Sequence, residues 1–158
     1  MGHAAPFDLE LYYRAGDGLD RLRVGTPHIL GLVALDAALD VWVHVDIADV
    51  RARSIELSQA FVADVSTGCP ELKLASPSDP NARGSQVSYH FEQGYAAMQA
   101  LIDRKIIGDF RAPDLMRFGF TPLYIDIDQV RAAARTLCDV IKLNLWDDPK
   151  YKTRQKVT

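Results

Sequence analysis

The sequence predicts a mixed α/β chain of the α+β kind, in which two long helices precede a small, mostly antiparallel sheet that helices cover on one face. Three observations predict this class. Apolar residues recur at helical spacing over 27–42 and 46–67, alternate with polar residues over 85–91, and return to helical spacing after residue 126. The expected parts are an irregular arm (1–25), two long helices (26–67), an α+β domain (68–146) and a polar tail (147–158).

The first 67 residues predict the arm and the two helices. Residues 1–25 contain glycines, a proline and aromatic residues without a period, which favours an irregular segment. Thr26-Pro27 predicts a helix start, because threonine caps helices well and proline suits the first helical position. The helix that follows is apolar nearly all round, which is typical of a helix packed on most sides. We expect Asp46 to cap the second helix.

The second half predicts a compact α+β arrangement. Over 85–91 the period of two places Val87, Tyr89 and Phe91 on one face of a strand. The expected strands lie at 72–75, 85–91, 106–107 and 115–120. The expected helices lie at 94–105 and from Asp126 or Asp128 to about residue 145. The tail from residue 147 is polar, and we expect it to be loose.

Length, composition and charge agree with one globular domain of ordinary size, or with one domain that carries a long appendage. The chain has 158 residues, of which 48% are hydrophobic and 25% charged, and its net charge is -3. This balance offers no basic surface for nucleic acid, and no apolar run approaches the ~20 residues that span a membrane. We therefore expect neither a nucleic-acid partner nor a membrane partner.

The first residues and the cysteines predict a cytoplasmic protein. Residues 1–6 lack a basic stretch followed by an apolar one, so no signal peptide is expected. Cys69 and Cys138 lie far apart and have no histidine at metal-ligand spacing. Buried, reduced thiols are the expected state of this pair, and a disulfide is the alternative.

The residue types that carry catalysis are poorly placed. No two of the histidines are spaced as metal ligands, so no metal site is expected. The histidines are His3, His28, His44 and His90. No lysine has the apolar setting that would lower its pKa for covalent chemistry. The lysines are Lys73, Lys105, Lys142, Lys150, Lys152 and Lys156. We expect no catalytic residue in this chain.

Thr26 is the first candidate binding residue. It follows Gly25 at a predicted helix start. A hydroxyl beside the free N–H groups of a helix N-terminus is a natural phosphate contact. The alternative is a plain N-cap without a ligand.

Arg117 is the second candidate. In the predicted strand 115–120, Met116, Phe118 and Phe120 share one face, so Arg117 points to the other. Gly119 leaves room beside the guanidinium, whose planar fork suits a carboxylate. The alternative is an arginine of an edge strand that lies in solvent.

Several segments, in order over nearly the whole chain, resemble the C-terminal part of bacterial kynureninases. The shorter ones are Gly2-His3-Ala4, Gly25-Thr26-Pro27 with Ile29-Leu30, Arg83-Gly84-Ser85, Gly94-Tyr95, Ile107-Gly108-Asp109 and Phe110-Arg111-Ala112-Pro113. The most specific is Met116-Arg117-Phe118-Gly119-Phe120-Thr121-Pro122-Leu123-Tyr124.

The resemblance implies a fold, a cofactor and a reaction. Kynureninases are homodimeric pyridoxal-phosphate enzymes of the aspartate-aminotransferase fold (fold-type I), and they cleave kynurenine with water to anthranilate and alanine in tryptophan catabolism. This chain would be their C-terminal small domain with the preceding helices. By the resemblance, Thr26 contacts the cofactor phosphate from the neighbouring subunit, and Arg117 binds the substrate carboxylate.

The resemblance also implies that parts of the enzyme lie outside this sequence. The family has a tryptophan before Gly2-His3 and a large domain with the lysine that anchors the cofactor, and neither is present here. We expect a truncated, split or mis-started gene, whose product either pairs with a separate N-terminal chain or is an inactive remnant. The alternative outside the family is a non-catalytic, regulatory amino-acid-binding domain in which Arg117 holds a carboxylate.

Overall fold

The computed structural model describes residues 2–153. The chain divides into two compact units, Met1–Val45 and Asp46–Thr158. This division falls between the two predicted long helices, and the four-part organisation with boundaries after residues 25, 67 and 146 stays a prediction.

The first unit consists of an arm and one helix. The arm is largely irregular, as predicted, and contains a 3-10 helix at Gly18–Leu22 and an isolated bridge between His3 and Ala15. Helix α1 spans Ile29–Leu39, and a 3-10 turn, Asp40–Trp42, follows it.

The predicted start of α1 at Thr26-Pro27 is wrong. The N-cap is His28, whose Nδ1 accepts a hydrogen bond from the Gly31 backbone N at 2.9 Å. An imidazole nitrogen can satisfy a free N–H group of the first turn as a hydroxyl does. The helix therefore begins two residues later than the Thr26 N-cap would place it.

Helix α1 is apolar on nearly every side, with Asp36 as its charged residue, and the predicted packing on most sides is not found within the first unit. Its large apolar side chains are between 52% exposed (Leu32, Leu39) and 77% exposed (Leu30). Contiguous apolar surface of this kind is typical of a surface that another protein segment covers.

Two long helices form the main packed pair of the second unit. Helix α2 spans Ile47–Gly68, and Asp46 caps it as predicted by accepting a hydrogen bond from the Ala48 N at 2.7 Å. Helix α4 spans Ile127–Lys142 and starts with a capping box, in which Asp126 and Gln129 bond each other's backbone N–H groups. The two helices pack against each other. Their buried apolar residues include Leu57, Phe61, Val65, Val130, Ala134 and Leu137.

The sheet has four antiparallel strands in the order β1-β2-β4-β3. The strands are β1 (Lys73–Leu74), β2 (Gln86–His90), β3 (Asp109–Arg111) and β4 (Leu115–Gly119). Val87 and Tyr89 of β2 face the core as predicted and are opposite Phe118 and Met116 of β4. The predicted fold class, long helices with a small antiparallel sheet, is confirmed.

The strand expected at 106–107 lies instead at 109–111. Helix α3 (Gly94–Asp103) ends with Lys105 in the left-handed region (φ 66), and the Ile106 N–H bonds back to the Leu101 carbonyl. These bonds form a C-capping motif that includes Ile106. Pairing with β4 therefore begins only at Asp109.

The described part of the tail is more ordered than predicted. Residues Pro149–Lys152 form the short helix α5, and Tyr151 is buried. Its hydroxyl donates a hydrogen bond to Asp103 Oδ2 at 2.8 Å, and Lys150 Nζ lies 3.0 Å from the same oxygen. The remaining tail, 154–158, lies outside the described residues.

Cys69 and Cys138 are both buried, free thiols, as predicted. Burial, the largest cause, raises the pKa of Cys69 to about 12, and it also raises the pKa of Cys138. Both groups are therefore protonated at neutral pH and have no thiolate character.

Candidate functional site

Thr26 lies in the first unit, in the turn before α1, at a cavity of about 550 Å³. Because His28 caps the helix, the N-cap alternative for Thr26 is wrong. His3 and Arg23 line the same cavity, and a Cβ added at Gly25 would meet nothing within 4 Å. Asp20 also lines the cavity, and its Oδ1 lies 3.4 Å from Arg23 Nη2, while His3 Nδ1 accepts a hydrogen bond from the Ala5 N. The Thr26 hydroxyl and the Arg23 guanidinium are the groups at this turn that suit an anion such as a phosphate.

Arg117 lies in the second unit at the centre of β4, opposite Ser88 of β2 and Asp109 of β3. Since β4 has a neighbour on each side, the alternative of an edge-strand arginine in solvent is wrong. The Arg117 side chain is 27% exposed, and its Nη2 donates a hydrogen bond to Asp109 Oδ2.

The Arg117 guanidinium keeps a donor that no described residue satisfies. Its Nε is buried and, among residues 2–153, has no hydrogen-bond partner. A buried donor left unpaired costs about 1–3 kcal/mol, which a bound acceptor would recover. The arginine lines a cavity of about 600 Å³ together with Gln86, Thr121 and Tyr124. Gly119 lines the same cavity, and a Cβ added there would meet nothing within 4 Å.

Asp109 and Arg111 complete a charged cluster around Arg117. Arg111 Nη2 lies 3.3 Å from Asp109 Oδ2, the oxygen that Arg117 contacts. The Arg117 hydrogen bond, with smaller contributions from the charges of Arg117 and Arg111, holds the pKa of Asp109 below its ordinary value. Asp109 is therefore a carboxylate at neutral pH, and the three side chains together carry a charge of about +1.

Sequence reasoning found Arg117 and missed Asp109 as its partner. The alternation of apolar residues in 115–120 showed which way Arg117 points. The contact to Asp109 depends on the register between β3 and β4, which no local pattern encodes.

The described residues include neither a metal site nor a buried lysine. Within residues 2–153, no three His, Cys, Asp or Glu side chains form a group that could hold a metal ion. The lysines of this range are all exposed, namely Lys73, Lys105, Lys142, Lys150 and Lys152. Lys156 lies outside it. No helix in this part of the chain has the length and apolar character needed to cross a bilayer.

Comparison with known proteins gives one consistent result. A family model described as "Kynureninase C-terminal domain" matches residues 50–137, a range that contains both Asp109 and Arg117. Proteins named kynureninase from Burkholderia mallei (strain SAVP1) and Burkholderia pseudomallei (strain K96243) are 40% identical to this chain over 159 residues, which is 99% of the chain. A kynureninase from Pseudomonas fluorescens is 38% identical over 160 residues. The chain spans 38% of the length of each of these relatives.

Proposed function

Because this chain belongs to the kynureninase family, we propose that it is the C-terminal portion of an enzyme that hydrolyses kynurenine to anthranilate and alanine with pyridoxal phosphate. The observation that carries the proposal is the similarity of 99% of the chain to kynureninases from several bacteria. The chain covers only 38% of those relatives, so the proposed activity requires the remaining portion, on the same polypeptide or on a separate one.

Arg117 is the residue that binds the substrate's α-carboxylate in this proposal. The support is its buried, unpartnered Nε, the open space at Gly119 and the cavity beside them. A carboxylate placed there would accept from the guanidinium at two points and so fix the orientation of the substrate. Orientation of this kind is the contribution of this residue to the reaction.

Thr26 is the residue that contacts the cofactor phosphate, reaching it from the neighbouring subunit of a homodimer. The Thr26 hydroxyl and the Arg23 guanidinium at its cavity fit one side of a phosphate, which would compete with Asp20 for Arg23. When bound, pyridoxal phosphate supplies the electron sink that cleavage next to the α-carbon requires. The lysine that anchors the cofactor comes from the other portion, since the described lysines of this chain are exposed.

A second candidate function is the non-catalytic binding of a small amino acid. The observation that favours it is that the Arg117 cavity lies wholly within the compact unit 46–158. On this alternative, the chain binds amino acids by itself and has no need of a further portion. The exposed apolar surface of α1 favours the first function instead, because a self-contained domain would bury it.

We predict that the chain alone does not bind pyridoxal phosphate covalently. Covalent attachment needs a lysine whose amine is partly uncharged at neutral pH, and exposed lysines are protonated. The purified chain is mixed with the cofactor, reduced with borohydride and mapped by peptide mass spectrometry. Stoichiometric labelling of a single lysine would contradict the prediction, and scattered low-level labelling would agree with it.

We predict that the chain alone associates through α1. Six large apolar side chains of this helix are more than half exposed, namely Ile29, Leu30, Leu32, Val33, Leu35 and Leu39. Light scattering over a concentration series should show oligomers, and Leu30→Glu with Val33→Glu should shift them toward monomer. A monomeric parent chain that binds no apolar dye would contradict the prediction and favour the self-contained binding domain.

A further inference from the structure

Asp109 is the β3 residue directly opposite Arg117, whose partner on β2 is Ser88. The register between β3 and β4 pairs the two residues, and Asp109 Oδ2 accepts the hydrogen bond from Arg117 Nη2. Gly108 makes this approach possible. A Cβ at Gly108 would lie 2.8 Å from the Arg117 carbonyl oxygen and 2.8 Å from Met98 Cε, closer than packed atoms allow. The backbone before β3 therefore lies close against β4, next to the Asp109–Arg117 pair.

The contact leaves the binding capacity of the arginine in place. Asp109 accepts from Nη2, whereas Nε stays buried and without a partner among the described residues. An arginine side chain has large rotamer freedom, and losing that freedom on binding a ligand weakens affinity. A carboxylate already bonded to one nitrogen restricts the guanidinium before the ligand arrives.

Arg111 adds a positive charge to the Arg117–Asp109 pair. An Arg117–Asp109 pair alone is neutral and attracts a second carboxylate only weakly. With Arg111 Nη2 at 3.3 Å from the same oxygen, the cluster has two positive charges and one negative charge. It thus keeps a net charge of about +1 for a ligand carboxylate.

We infer that Asp109 is a positioning residue that orients the Arg117 guanidinium for carboxylate binding, with Arg111 as the counter-charge that preserves the attraction. This inference rests on the proposed function, because the carboxylate in question is that of kynurenine. Asp109 does not touch the reacting atoms and acts through Arg117.

The first test measures the order of the Arg117 side chain in the 158-residue chain and needs no catalysis. The Nε–Hε resonance, assigned by its loss in Arg117→Lys, should have an order parameter near the ~0.85 of rigid groups. In Asp109→Ala it should fall below ~0.6, while Asp139→Ala, which removes an exposed carboxylate of α4, leaves it unchanged. An unchanged value in Asp109→Ala would overturn the inference.

The second test uses this chain assembled with the N-terminal portion of the Pseudomonas fluorescens relative. Asp109→Ala should raise KM for kynurenine about tenfold and change kcat by less than about twofold. In an Arg117→Lys background the same substitution should raise KM by less than about twofold, because the group it positions is gone. A tenfold rise in KM in both backgrounds, or no rise in either, would show that Asp109 does not act through Arg117. A folded, co-purifying parent assembly without activity would refute the proposed function, and the order measurement would still decide the inference.

Discussion

Arg117→Lys in the assembled enzyme is expected to lower kcat/KM for kynurenine by a factor that corresponds to about 2–5 kcal/mol of lost transition-state stabilisation. Lysine keeps the charge and loses the planar fork that binds a carboxylate at two points. It also leaves Asp109 with a different and more mobile partner. Steady-state kinetics of anthranilate release, with cofactor occupancy measured by absorbance, provides the measurement.

Thr26→Ala is the matched control for this prediction. If Thr26 contacts the cofactor phosphate as proposed, this substitution removes one hydrogen bond and should weaken cofactor affinity by about 1.5–3 kcal/mol. Excess cofactor should restore the activity of Thr26→Ala and not that of Arg117→Lys. If Arg117→Lys keeps kcat/KM near the parental value, Arg117 does not bind the substrate carboxylate.

Phe61→Ala is expected to lower the free energy of unfolding of the second unit by about 3–5 kcal/mol. Phe61 is 1% exposed, and its ring lies 5.1 Å from that of Phe118 and 5.2 Å from that of Phe120, measured between centroids. Truncation leaves a cavity between α2 and β4 and removes these ring contacts. Urea unfolding followed by circular dichroism gives the change.

Phe7→Ala is the control for Phe61, because the same change is made at a side chain that is 96% exposed. It should change the free energy of unfolding by no more than about 0.5 kcal/mol. A loss below about 1 kcal/mol for Phe61→Ala would mean that the aromatic cluster is not the centre of this core.

Local patterns predicted the parts of the fold that depend on local interactions. Asp46 caps α2, and Val87 and Tyr89 face the core, because caps and strand faces are set by neighbours along the chain. The start of α1 was misplaced because His28 has a side chain that competes with Thr26 for the same role. The strand at 109–111 was misplaced because Lys105 takes a left-handed conformation that its residue type does not favour.

In the candidate site, too, the features set by local patterns could be predicted and those set by contacts between distant segments could not. Arg117 could be predicted because its orientation follows from the period of two in a single strand. Its partner Asp109 could not, since the pairing of β3 with β4 is a contact between strands. The apolar character of α1 could be predicted from its residues, whereas its exposure could not, because exposure depends on which segments pack against the helix.

The release of anthranilate from kynurenine tests the central claim most directly. Three samples with pyridoxal phosphate are compared by anthranilate fluorescence: this chain, the N-terminal portion of the Pseudomonas fluorescens relative, and the two co-expressed. We predict release by the co-expressed pair and none above background by either part alone, with Arg117→Ala abolishing release by the pair. A folded, co-purifying pair that releases no anthranilate would contradict the account, as would release by this chain alone.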